Sequence, residues 1–274
     1  MPTPFYHLDV AERLLYHPDL PGPIRHNLLV QQSAFLLGNT APDVQVLSRQ
    51  KRQATHFFSF PFDPGSLPPW ERMLVLYPDL APQPTHPAER QAFLAGYLCH
   101  LQADWFWIRD IFLPAFGPDL TWGTFPERLY LHNVLRAYLD RHVLAGLPLE
   151  TPRLLSRVQP DHWLPFTEDH FLLAWRDYLA RQLQPGASIE TVEVFASRQG
   201  LSPTEFYRLL DSEDQMEEQV FIHVSHSQLD AYRERLIQAN LILLAAYLTG
   251  KRPDPSTAAA KPEDPPKTLD ARKG

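Results

Sequence analysis

An all-α fold is what this sequence predicts. Apolar residues recur at spacings of three and four along most of the chain, and no alternating polar–apolar runs are joined by a hairpin turn. Twenty-eight prolines in 274 residues, about twice the usual share, then separate the helical stretches with stiff connections. A first helix is expected from residue 7, through Val10, Ala11, Leu14 and Leu15, to a stop at Pro18. A second over 23–37 ends at Gly38, which takes a C-cap position. Residues 39–86 carry eight prolines and predict loop, interrupted by a short helix over 70–76. The central helix opens with Pro87 and Glu89, both favourable in a first turn, and runs to about residue 112 before Pro114 breaks it.

Beyond it the periodicity predicts helices over 126–144 and, after a Pro-rich connection, 168–184. Further helices follow over 189–198, 203–210 and 213–248. The best internal linker is Gln184-Pro185-Gly186-Ala187-Ser188. The expected organisation is therefore one helical domain, 1–249, in which 184–249 form a C-terminal helical extension. Residues 250–274 are rich in Pro, Lys, Asp and Ala with little to bury, and are expected to be a disordered tail.

Apolar residues at 44% and charged residues at 21% are ordinary for a globular chain. The net charge is -7, and residues 1–250 hold 28 acidic against 19 basic side chains, which makes duplex nucleic acid a poor partner. One cysteine, Cys99, excludes an internal disulfide and a thiolate zinc cluster, so any metal must use histidine and carboxylate. No secretory leader pattern opens the chain and no apolar run of spanning length occurs. A cytoplasmic protein with no transmembrane segment is expected.

The most informative pair is His100 and Asp104, in Ala92-Phe93-Leu94-Ala95-Gly96-Tyr97-Leu98-Cys99-His100-Leu101-Gln102-Ala103-Asp104-Trp105. Positions i and i+4 share one helix face, and here the helix is apolar nearly all round and hence buried. Burying a carboxylate there costs several kcal/mol unless a cation or donor meets it. Gly96 and Ala92 precede the pair on the same stripe and leave room beside it for an ion. Three further metal-competent residues sit among small, turn-forming or aromatic neighbours: His7, Asp43 and His56. Singly each has an ordinary account, Asp43 as a turn residue after proline and the histidines as surface or core residues.

Taken in order, four blocks resemble the zinc-dependent phospholipase C family, whose relatives include single-strand-specific nucleases. They are His7-Leu8-Asp9-Val10-Ala11-Glu12-Arg13-Leu14, Phe35-Leu36-Leu37-Gly38 through Pro42-Asp43, Thr55-His56-Phe57-Phe58, and Phe93 through Asp104. The resemblance covers about the first 110 residues and implies a compact helical bundle with metals held between helices and loops. It implies that Asp43, His56, His100 and Asp104 hold one zinc, and that His7 and Asp104 hold a second, with Asp104 bridging. Where the family has a histidine ten positions after His100, this chain has Asp110. For the family's His-x-x-x-Glu it has His132-Asn133-Val134-Leu135-Arg136. Asp110 and His132 are candidate ligands or partners of ligands, but arginine cannot ligate zinc, so two zinc ions are expected.

The implied activity is hydrolysis of a phosphodiester by a metal-bound hydroxide, phospholipid-like substrates being favoured over nucleic acid by the acidic body. Asp43 is the expected general base, and Arg136 is expected to stabilise phosphate charge in place of a third metal. Two alternatives stand beside it: a zinc-stabilised helical protein without turnover, and a single-strand nuclease, which needs exposed aromatics. Arg49, Lys51 and Arg52 lie between two proposed ligands and read either as a phosphate attractor or as a solvated loop. Trp105, Phe106 and Trp107 read either as an aromatic wall or as core. His223, His226 and Asp230 would share one face of the last helix, as a polar face or a metal site.

Overall fold

The computed structural model describes residues 1–59, 61, 65–83 and 85–250, and no strand occurs among them. Its α-helices are α1 (Pro4–Leu15), α2 (Gly22–Val30), α3 (Gln32–Gly38), α4 (Gln45–Ser48), α5 (Arg52–His56), α6 (Pro69–Leu76), α7 (Ala88–Trp107) and α8 (Leu113–Phe116). There follow α9 (Phe125–Leu144), α10 (Thr151–Arg157), α11 (Asp169–Gln182), α12 (Thr191–Gln199), α13 (Pro203–Leu210), α14 (Glu213–Met216) and α15 (His226–Leu248). Short 3-10 turns cover Ala41–Val44 and Pro78–Leu80, and π-helical turns cover Ile108–Phe112 and Glu217–Phe221. The expected tail beyond Gly250 lies outside the described residues.

Several helix ends differ from the sequence expectation, each for a local reason. Thr3 is extended and its side chain accepts from the Tyr6 N–H, with Pro4 next, so α1 starts three residues early. The expected helix over 23–37 is two helices, parted at Gln31 where φ is -105°. Gly38 is the last residue of α3 and not a cap; a Cβ there would lie 2.0 Å from the Phe93 carbonyl oxygen. Gly96 on α7 meets the reciprocal demand, since its Cβ would fall 2.3 Å from the Phe35 carbonyl oxygen. The two glycines let α3 and α7 cross backbone to backbone. This corrects the expectation that Gly96 leaves room for an ion: that space holds α3, and the contact delivers Asn39 and Asp43 to the polar face of α7.

Pro114 does not break the central helix. The Leu113 N–H bonds to the Ile108 carbonyl across a π-helical turn, and Pro114 then sits in the first turn of α8, where its missing N–H costs nothing. The stretch over 213–248 is interrupted, because Ser225 and Gln228 form a reciprocal capping box that starts α15 afresh. His223 stacks on Trp122 with ring centroids 3.5 Å apart, while His226 lies 3.0 Å from Glu217, so these histidines and Asp230 do not form one helix face. Helix α10, opened by Thr151 and Pro152, falls where only a connection was expected.

From Ala92 to Trp107 every residue of α7 is buried, which makes it the axis of the bundle. Trp105, Phe106 and Trp107 are therefore core, each contributing about 2 kcal/mol or more of burial. The C-terminal helices join the same hydrophobic core: the Tyr232 hydroxyl donates to the Ala103 carbonyl at 3.1 Å, and the Tyr247 hydroxyl to that of Leu80 at 2.8 Å. No helix among the described residues is long and apolar enough to cross a membrane.

Candidate metal centre

Five side chains from four separate stretches meet against the buried face of α7. His7 comes from the second turn of α1, Asp43 from the 3-10 turn that follows α3, and His56 from the last position of α5. His100 and Asp104 come from α7 itself, one turn apart. Ligand-competent atoms of His7, Asp43 and His100 all lie within 4.8 Å of one another, and so do those of His56, His100 and Asp104. The structure brings these five sequence-predicted residues together.

Their orientation is imposed by neighbours. The His100 Nδ1 lies 2.8 Å from the Asn39 carbonyl oxygen, an acceptor only, so Nδ1 carries the proton and Nε2 presents a lone pair. Next to His56, the Thr55 hydroxyl lies 3.3 Å from the Arg52 carbonyl oxygen and 2.9 Å from the His56 Nδ1. With its proton on the carbonyl it accepts from Nδ1, and the His56 Nε2 then presents a lone pair. Tyr97 holds this end of α5 by donating its hydroxyl to the Thr55 carbonyl at 2.6 Å.

The two Nε2 atoms stand 3.3 Å apart, and in that tautomer they cannot hydrogen-bond each other. The His56 Nε2 is 3.4 Å from both Asp43 Oδ1 and Asp104 Oδ2. The His100 Nε2 is 3.7 Å from Asp104 Oδ2. The His7 ring stacks on His100, centroids 3.7 Å apart, and its Nε2 is 3.4 Å from Asp104 Oδ1. Neither nitrogen of His7 nor Oδ1 of Asp104 has a hydrogen-bond partner, although all are buried. Orphaned polar groups at this depth cost about 1–3 kcal/mol each. A divalent cation would meet Asp104 Oδ1 and the lone-pair nitrogen of His7 together, and an imidazole–carboxylate set without thiolate fits zinc.

Burial lowers the His100 pKa to about 3, helped by the nearby His7, and lowers that of His56 with Arg52 adding to the effect. Burial works against ionising Asp104 and Asp43, yet both carboxyls are held below the usual range. For Asp104 the opposing neighbours are Arg52, His100 and His7; for Asp43 they are His56, His100 and Arg52.

The structure does not bring Asp110 to this cluster. Its carboxylate is taken by Arg109 at 2.6 Å and by Arg235 of α15 at 3.2 Å. His132 also stands apart: its Nε2 accepts from the Trp107 indole at 2.9 Å, and its ring packs on Phe112 and Phe116. These two expected ligands are corrected to core partners, each drawn off by a neighbour that local sequence does not announce.

Arg136, one turn after His132, does reach the site. It lines a cavity of about 80 Å³ together with Asp43, Arg52, Trp175, Phe195 and Arg198. Its Nη1 donates to Asn133 at 2.9 Å and its guanidinium lies 4.3 Å from the Phe195 ring centre. Burial lowers its pKa to about 10 against the pull of Asp43, so it remains a cation at neutral pH. Arg52 is the residue that sequence reasoning left undecided: it pairs with Asp104 and lies 3.4 Å from Asp43. Arg49 and Lys51, its partners in the basic cluster, are exposed.

Compared with known proteins, the chain matches no family model, no curated protein and no solved structure.

Proposed function

We propose that this chain is a zinc-dependent hydrolase of phosphodiesters. The observation that carries the reading is the pair of Nε2 atoms on His56 and His100, 3.3 Å apart between two carboxylates and beside a cavity lined by three arginines. His7, Asp43, His56, His100 and Asp104 would hold the metal. Bound there, it would supply Lewis acidity and lower the pKa of water towards about 7. Arg136, fixed by Asn133 and Phe195, offers its charge to the phosphoryl oxygens. Asp43 touches the cluster and lines the cavity, a place suited to accepting a proton at its carboxylate from water entering there.

Trp175 and Phe195 give the cavity an apolar wall, which favours a diester bearing an apolar part, as phospholipid-like molecules do. The excess of acidic residues works against duplex nucleic acid. The order of the five residues along the chain, which resembles that of zinc-dependent phospholipases C, supports the same conclusion.

A second reading has its own observation. His7, His56, His100 and Asp104 are each at most 1% exposed, and a closed site is the habit of structural rather than catalytic zinc. The test is release of nitrophenol from bis-nitrophenyl phosphate and from nitrophenyl phosphocholine, with single-stranded DNA as a third substrate. Zinc-dependent turnover that is lost in His100→Ala is expected. Zinc bound without turnover on any of the three would establish the structural reading, and zinc binding unaffected by His100→Ala would remove both.

A further inference from the structure

Arg52 opens α5 at the rim of the cavity, yet its guanidinium reaches both carboxylates of the cluster. One nitrogen pairs with Asp104 Oδ2 and the other lies 3.4 Å from Asp43 Oδ1. That Asp104 oxygen is also the one nearest the Nε2 atoms of His56 and His100, so it sits at the focus of the donor set. A hydrogen bond from Arg52 and a bond to a metal therefore compete for one atom. Charge makes the competition unequal: Arg52 brings one positive charge to two buried carboxylates, whereas a divalent ion brings two.

Arg52 is also less enclosed than its neighbour. Its side chain is 30% exposed, and among the described residues its ring contact is a distant one, 5.9 Å to the centre of Phe58. Arg136 is pinned between Asn133 and Phe195. Both arginines line the same cavity.

We propose that Arg52 is an internal counter-cation, holding Asp43 and Asp104 until a divalent ion displaces it and then turning into the cavity as an anion anchor. This rests on the metal-site reading above and assigns the arginine two positions, one for each state of loading. The movement this asks of Arg52 is a change of rotamer along its four-bond side chain.

The experiment is a zinc titration, by competition with a chromophoric chelator, of the metal-free full chain and of Arg52→Met, Arg136→Met and His100→Ala. Arg52→Met should bind zinc about tenfold more tightly than the parent, while Arg136→Met, which removes a nearby charge without touching either carboxylate, should change little. Metal-free Arg52→Met should melt below the parent, and the two should converge once zinc is added. Inorganic phosphate titrated into the zinc-loaded proteins should bind about tenfold more weakly to Arg52→Met. Arg52→Lys keeps the charge but cannot span two carboxylates; it should show an intermediate gain in zinc affinity and serves if the methionine variant does not fold. A parent that binds zinc with Arg52→Met equal or weaker overturns the counter-cation, and unchanged phosphate binding overturns the anchor, while the metal centre stands in both cases. A parent that binds no more zinc than His100→Ala overturns the metal centre itself and this proposal with it.

Discussion

Asp104 and Asp140 are both wholly buried carboxylates, and they meet that burial in opposite ways. Asp140 on α9 accepts from two hydroxyls, those of Thr3 and of Thr191 at 2.6 Å, and burial pushes its pKa up to about 7. Every oxygen it has is partnered, and the bonds tie α9 to the cap of α1 and the start of α12. Asp104 stands among an arginine and three imidazoles, stays ionised, and still leaves Oδ1 without a hydrogen bond. Depth alone therefore does not distinguish the two carboxylates. Of the pair, Asp104 is the one that keeps an oxygen without a hydrogen-bond partner.

The comparison can be broken most sharply at His100. His100→Ala should cost about 4 kcal/mol of zinc binding, near a thousandfold in affinity, with little change in the pH dependence of folding. Chelator competition measures the first and urea unfolding the second. Gly96→Ala should destabilise the chain by about 3 kcal/mol, because its Cβ would strike the Phe35 carbonyl and crowd the Asn39 amide, which lies 2.8 Å away. Thermal unfolding would show it, and zinc affinity should fall with it, since Asn39 positions His100.

Asp140 should produce the opposite pattern, a pH effect with no metal effect. Its folded pKa, about 7, lies above that of an unfolded aspartate, so the folded state binds more protons between about pH 4 and pH 7. Stability consequently falls as pH rises through that window. Between pH 5 and pH 8 the loss amounts to about 3 kcal/mol, and Asp140→Asn should flatten it without altering zinc affinity. The smallest effect belongs to Thr191→Val, about 1 kcal/mol from one lost hydrogen bond, accompanied by a further rise in the Asp140 pKa.

What the sequence made legible was what is local. The i, i+4 spacing of His100 and Asp104 lies within one helix, and the α7 axis delivers it as read. Their meeting with His7, Asp43 and His56 depends on helix crossings that periodicity does not encode; only the order of the motifs pointed to it. Gly96 shows the limit well, since a glycine beside two polar groups offers space equally to an ion and to a neighbouring backbone, and the second took it. Asp110 was lost to Arg235, a partner 125 positions away. Pro114 read as a breaker because a π-helical turn leaves no mark in composition. The start of α15, by contrast, was written in Ser225 and Gln228 and was masked by apolar periodicity on both sides.

Anomalous diffraction at the zinc edge, from crystals of the full chain equilibrated with zinc, tests the central claim most directly. The account predicts a peak bonded to Nε2 of both His56 and His100, with Asp104 in its shell. A map with no peak there, or with density only at the Asp161, His162 and Asp169 group, would contradict it.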